Sequence, residues 1–235
     1  MIEVAAQAGE GHLPSSFSVT EILWAIYDEI LGPDDRFILS KGHASLALYA
    51  VLEAKGWIPP TWGDAFCEMS PFMGHPERSL QFSIEATTGS LGHGFPTATG
   101  MALAKRIKNE QGRIFCLVGD GELNEGSCWE AALLASHLKL TNLVVFVDAN
   151  SSSPLAIDGE RFSSDLPSKF SAFGWRTCRI DGHDVRAIAR MAQFTGSDAP
   201  VAIICDTIKG RGCPVMEADP QAWHHRAAPA EMELS

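Results

Sequence analysis

No C-x-x-C pair occurs among the six cysteines of this 235-residue chain, and no H-x-x-x-H spacing among its histidines, which leaves a zinc site without its usual footing. Cys116 and Cys205 instead fall inside apolar runs, so reduced and mostly buried thiols in a cytoplasmic protein are expected. The chain also lacks an excess of basic residues. Its 18 Lys and Arg against 29 Asp and Glu leave a net charge of −11, which argues against nucleic acid or an anionic membrane surface as a partner. No signal peptide is recognisable at the start, and no apolar run is long enough to cross a bilayer. There is no Gly-Lys-Ser/Thr phosphate loop. A dinucleotide fingerprint fails as well, because Gly119 and Gly121 are followed by glycine only at Gly126.

What is present reads as one large or two small globular domains, with nearly half the residues apolar and a fifth charged. Ser18-Val19-Thr20-Glu21 is a Ser-x-x-Glu capping pattern ahead of an amphipathic helix that Gly32-Pro33 ends. Phe37-Ile38-Leu39 predicts a short strand and Ala44 to Ala54 a helix. Residues 56–93, rich in Gly, Pro, Trp and His, predict mainly loop, and a loop that long is usually functional. A helix near 96–109 follows. Strands are then expected at 113–118, 143–148, 175–180 and 201–205, alternating with helices at 126–139, 165–172 and 184–194. Such alternation predicts an α/β fold with a doubly wound parallel sheet, covered on both faces. The expected domain runs over 1–215, with an extended tail over 216–235.

The most informative local feature is Gly119-Asp120-Gly121, placed after the apolar run Ile114 to Val118. Asn150 answers it at the end of the next run, Leu143 to Asp148. Two buried strands would thus deliver a carboxylate and an amide oxygen from their carboxyl ends, where ligands bind in such sheets. Oxygen donors suit Mg²⁺, whose remaining ligands are commonly phosphate oxygens and waters. Glycines would let the backbone approach a phosphate without a Cβ in the way. Gly89-Ser90-Leu91-Gly92-His93-Gly94, before another helix, adds to this reading. A simple turn after a strand is the alternative for Gly-Asp-Gly taken alone.

Four histidines, His12, His43, His75 and His93, lie in Gly-flanked loops, joined later by His224. A lone loop histidine is more often a structural hydrogen-bonder than a catalyst. His183, in Asp181-Gly182-His183-Asp184, is expected to help start a helix with Asp184 as its cap.

Gly-Asp-Gly answered by Asn about 30 residues later resembles the thiamine-diphosphate signature. Longer motifs narrow the resemblance to transketolases: Gly11-His12-Leu13-Pro14-Ser15-Ser16, Leu39-Ser40-Lys41-Gly42-His43-Ala44, Gly74-His75-Pro76-Glu77, Thr87-Thr88-Gly89-Ser90-Leu91-Gly92, and Gly119 through Trp129-Glu130-Ala131. Lys209-Gly210-Arg211-Gly212 and Trp223-His224 extend it to nearly the whole chain. It covers only the diphosphate-binding half of a transketolase.

The resemblance implies the thiamine-diphosphate-binding fold, with thiamine diphosphate and Mg²⁺ as cofactors. It assigns Gly92, His93, Gly119, Asp120, Gly121, Glu122 and Asn150 to the cofactor, and Asp120, Asn150 and the Ser152 carbonyl to the metal. Gly92 and Gly121 would offer backbone amides to the diphosphate. His12, His43 and His75 match residues that orient donor hydroxyls and move protons, and His224 matches another active-site histidine. Glu125 matches a glutamate near the dimer interface that communicates protons with the partner site, and it also suits the N-terminal dipole of helix 126–139. Lys41 and Lys209 are the cations nearest the cofactor by motif, with a solvated lysine the alternative for Lys209. The implied activity is transfer of a two-carbon ketol unit from a ketose or ketose phosphate to an aldehyde. This chain would be the N-terminal subunit of a split transketolase, completed in a heterotetramer by a C-terminal pyrimidine-domain subunit. Rival readings are a thiamine-diphosphate enzyme of secondary metabolism moving another acyl or ketol unit, and a non-catalytic relative. Departures from the family are His93 in place of glutamine, the polar stretch 151–156 after Asn150, the missing second half, and abbreviated ends.

Overall fold

Three uninterrupted apolar runs form the middle of the sheet, because a parallel strand covered on both faces has no solvent side to supply. The computed structural model describes residues 1–150, 156–157, 160–161, 165–193 and 198–224. Its strands are β1 (Arg36–Leu39), β2 (Ile114–Gly119), β3 (Leu143–Ala149), the short pair β4 (Ala156–Ile157) and β5 (Glu160–Arg161), β6 (Arg176–Asp181) and β7 (Val201–Asp206). The main sheet has the order β1-β2-β3-β7-β6, and every pairing in it is parallel. All of β2 and β3 are buried, whereas the edge strand β6 is half exposed and carries the Arg179–Asp206 ion pair. A charged edge discourages pairing with another sheet.

The helices are α1 (Ile2–Ala8), α2 (Leu13–Phe17), α3 (Thr20–Ala25), α4 (Ser45–Ala54), α5 (Gly94–Lys108), α6 (Gly126–His137), α7 (Leu166–Ala172), α8 (Val185–Ala192) and α9 (Pro214–Ala218). Strand periodicity sorts the core into two layers. Phe115, Leu117, Val144, Phe146 and Ile203 pack with α2, α3, α4 and α8, while Cys116, Val118, Val145, Val147 and Ile204 pack with α5, α6 and α7. The expected doubly wound α/β fold is therefore the observed one. No helix among the described residues is long and apolar enough to cross a membrane.

The capping pattern at Ser18 is corrected by the structure. The N-cap of α3 is Val19 without a side-chain bond, and the Ser18 hydroxyl donates to the Ser15 carbonyl and to Asp148 Oδ2, at 3.0 and 2.8 Å. The hydroxyl that would have accepted from a helix-end amide donates instead to a buried carboxylate, and that charge-assisted bond outweighs a cap worth about 1 kcal/mol. Asp184, in contrast, caps α8 as expected, accepting from the Ala187 amide at 3.0 Å.

Residues 56–93 are mainly loop, with two short 3₁₀ turns at Pro60–Ala65 and Leu80–Phe82. This loop is fastened to α4: Ser45 Oγ donates to the Gly74 carbonyl at 2.7 Å and the Tyr49 hydroxyl to the Met73 carbonyl at 3.0 Å. Tyr49, Trp62, Phe66 and Phe72 form an aromatic cluster beneath it. Both bonds fix the backbone immediately before His75. Of the segment expected as a tail, the described part lies on the domain: Met216 is fully buried and Trp223 packs against the core.

Candidate active site

The site begins in the strand register. Asp148 of β3 is level with Gly119 of β2, and Ala149 is level with Asp206 of β7. Asp120 and Asn150 are thus the first residues beyond two neighbouring parallel strands. After β3 the next helix, α7, lies on the α5–α6 side, whereas α9 after β7 joins the opposite layer through Met216. The crevice between β3 and β7 is the switch point, where open α/β sheets hold their ligands.

A cleft of about 370 Å³ opens there, and its walls include His12, Lys41, His43, His75, Asp120, Gly121, Glu122, Asn150, Lys209 and His224. A roomier cavity of about 520 Å³ beside β1, lined by Tyr27, Phe37, Trp57 and Arg78, contains none of the candidate residues. Four imidazoles gather at one place in the cleft: the His12 ring centroid is 5.4, 6.1 and 5.3 Å from those of His43, His75 and His224. The N-cap of α2, the 3₁₀ turn Gly42–Ala44 before α4, the long loop and the end of the described chain meet there. Sequence separation conceals this grouping.

Beneath Asp120 and Asn150 lies a buried network centred on Asp148, a residue that the sequence motifs do not single out. The Asp148 carboxylate accepts from Lys41 Nζ, Ser18 Oγ, Thr207 Oγ1 and Asn150 Nδ2. Burial pushes its pKa up, but Lys41 and these donors prevail and hold it below the ordinary carboxylate value. The bond from Asn150 Nδ2, at 3.0 Å, turns the amide so that its carbonyl oxygen is the atom directed away from Asp148. A signal for Asp148 did exist: an acidic residue closing an otherwise apolar buried run requires a partner.

Glu122 is 1% exposed and joins three stretches of backbone. It accepts from Ser40 Oγ at 2.5 Å, from the Gly92 amide at 3.0 Å and from the Gly119 amide at 3.3 Å. Burial raises its pKa against the pull of these donors. The Gly92 amide, which the resemblance offered to a diphosphate, is therefore engaged by Glu122, and the Gly121 amide donates to Asp120 Oδ1 at 2.7 Å. Gly92 owes its identity to close packing: at φ +79°, a Cβ would stand 2.6 Å from both Glu125 Cβ and Ser127 Oγ.

His43 is held well below the ordinary imidazole pKa, by burial first and then by Lys41, His12, His224 and Lys209. Burial and Lys41 likewise lower the Lys209 ammonium, against the pull of Asp148 and Asp120. Lys41 and Lys209 thus bring two cationic side chains to the cleft of a chain that is acidic as a whole, Lys41 being paired with Asp148.

Three described candidate residues do not line the cleft, Gly92, His93 and Glu125. His93 is exposed at the start of α5, with Nδ1 3.0 Å from the Leu91 carbonyl oxygen, and Glu125 is exposed at the N-cap of α6. Ser152 lies outside the described residues. Among the described residues, no group of three His, Cys, Asp or Glu side chains is arranged to hold a metal ion by itself. A cation here would need ligands from its anion, as Mg²⁺ commonly takes.

The profile of the family described as transketolase, thiamine diphosphate binding domain, matches residues 2–234. A transketolase-like protein 2 from Bos taurus is 39% identical over 98% of this chain, which spans 39% of that protein's length. One of the subunits of an apulose-4-phosphate transketolase from Actinobacillus succinogenes is 34% identical over 96% of this chain, which spans 86% of that relative. The crystal structure of transketolase from Campylobacter jejuni superposes with a TM-score of 0.83 at 29% identity, over 96% of this chain and 38% of the other. With the profile covering the chain almost end to end and its motifs gathered around one cleft, this protein belongs to the transketolase family and carries that family's thiamine diphosphate binding domain.

Proposed function

We propose that this chain is the N-terminal, diphosphate-holding subunit of a two-chain transketolase, transferring a two-carbon ketol unit from a ketose or ketose phosphate to an aldehyde. The observation that carries the reading is the shared cleft: the four imidazoles and the Asp120–Asn150 end of the sheet line one cavity. The Actinobacillus relative, of similar length and named as one subunit of its enzyme, supports a separate partner. That partner is a C-terminal pyrimidine-domain subunit, and the assembly is a cytoplasmic heterotetramer. The six free cysteines fit a reducing compartment.

The residues present fit thiamine diphosphate and Mg²⁺ in their donor chemistry. Asp120 and the Asn150 carbonyl oxygen serve as hard ligands for Mg²⁺, with the Ser152 carbonyl as a third. Lys209 would neutralise diphosphate charge, while Lys41, paired with Asp148, holds the floor of the site. When bound, thiamine diphosphate supplies the electron sink that carbon–carbon cleavage next to a carbonyl requires. The chain's own contribution is position and proton control. His12, His75 and His224 orient donor hydroxyls, and His43, kept neutral by its surroundings, is a proton acceptor rather than a fixed cation. Glu125, exposed at the start of α6, faces outward and serves contact with a second subunit.

The test is calorimetric titration of thiamine diphosphate with Mg²⁺, with and without the C-terminal subunit, followed by product analysis with several ketose donors. Binding and ketol transfer by the reconstituted pair are expected, together with loss of Mg²⁺-dependent binding in Asp120→Ala. A reconstituted pair that neither binds nor turns over would sink the reading.

A further inference from the structure

Lys209 lines the cleft from the loop that follows β7, a segment with no regular structure to hold it. The backbone on either side of it is tied to other elements. The Gly210 amide donates to the Pro14 carbonyl of α2 at 3.0 Å, and the Ile208 amide donates to His183 Nε2 at 2.8 Å. An imidazole that accepts at Nε2 must carry its proton on Nδ1 when neutral. That nitrogen lies 3.2 Å from Glu21 Oε2 of α3 without the alignment of a hydrogen bond, so the Ile208 amide at Nε2 is what selects the tautomer. The His183 side chain is only 10% exposed, and its backbone amide donates to Asp181 Oδ1 at 2.8 Å. The preceding Gly182 closes the contact from the other side. Its amide donates to the Asp206 carbonyl at 2.8 Å, and a Cβ there would stand 2.4 Å from Thr207 Cγ2.

We propose that His183 is a positioning residue that sets the backbone of the β7–α9 loop and thereby places Lys209 over the diphosphate end of the cleft. The Lys209 part rests on the cofactor reading above; the loop part does not. The turn between β6 and α8 acts as a template against which the loop is laid. Local pattern explains Asp184 in this turn as a helix cap and gives His183 only a share in the helix start, and the hydrogen bond to Ile208 supplies a separate task.

Two readouts on the full chain separate the parts. Without cofactor, ¹⁵N NMR of the ring is expected to show His183 protonated at Nδ1, and amide exchange at Ile208 should accelerate in His183→Ala and return toward wild type in His183→Gln, whose side-chain oxygen can still accept. Unchanged exchange in His183→Ala, or a ring protonated at Nε2, would overturn the proposal whether or not the chain binds thiamine diphosphate. With thiamine diphosphate and Mg²⁺, affinity should fall roughly tenfold in His183→Ala, as for a residue behind a ligand contact, and recover in His183→Gln. In the Lys209→Ala background, His183→Ala should add nothing further; a full additional loss there would show that His183 does not act through Lys209. Unaltered binding in Lys209→Ala alone would refute the diphosphate role of Lys209 while leaving the exchange result to judge the loop.

Discussion

Lys41 and Asp148 form an ion pair under the floor of the cleft, their side chains 1% and 0% exposed. Through the same carboxylate, Ser18, Thr207 and Asn150 are drawn to one point. Asp148→Ala leaves a buried ammonium unpaired and should destabilise the fold by about 3–5 kcal/mol, read as a lower urea midpoint. Lys41→Met combined with Asp148→Leu should recover most of that loss. A double variant as unstable as the single one would rule out the unpaired charge as the cause.

His43 predicts acid sensitivity with a definite sign. Its folded-state pKa lies well below the ordinary 6.5, so the stability it contributes is present above 6.5 and lost as pH falls from there toward the folded value. The urea midpoint should fall between neutral pH and about pH 5, and His43→Asn should make the fall shallower. An equally steep fall in the variant would assign the effect to another group.

Glu122 predicts the opposite slope. Its folded pKa is raised above 4.5, so its contribution is complete below the unfolded value and declines as pH rises through the folded one. The stability of wild type relative to Glu122→Gln should therefore decline as pH rises from acid to neutral. A difference that stays flat with pH would mean that the donors from Ser40, Gly92 and Gly119 offset burial fully.

Two glycines offer a matched pair of substitutions. Gly92→Ala meets Glu125 and Ser127 at a left-handed φ and should cost about 1–3 kcal/mol in thermal or urea unfolding. Gly100→Ala, within α5 and with nothing within 4 Å of its Cβ position, should gain roughly 0.5–1 kcal/mol. Equal effects at the two positions would remove the packing argument for Gly92.

The sheet was legible because β2, β3 and β7 are runs of apolar residues that suit no other element, and Asp120 and Asn150 could be read as their carboxyl-end residues. Glu125 and His93 were legible as helix-start residues, but family motif alone could not tell that both are exposed and neither lines the cleft. Ser18 illustrates the limit of local pattern. A Ser-x-x-Glu spacing reports on four residues, whereas the acceptor that captures Ser18 is 130 positions away. The Lys41–Asp148 pair, 107 positions apart, lies beyond any windowed reading for the same reason. His183 reads as part of a helix start, since nothing near it in sequence indicates Ile208.

The alternation along β3 also separates what this protein can change from what it cannot. Asp148 and Asn150 are two residues apart, while Ala149 between them belongs to the α5–α7 layer of the core. Sliding β3 by one position would turn Phe146 and Val147 into the wrong layers and carry Asp148 and Asn150 with them. Asp148 and Asn150 are thus kept in place by hydrophobic patterning and need no selection of their own to stay in register. Exposed positions such as Gly100 on α5 carry no such tie, and are where this chain can change without disturbing the strand ends.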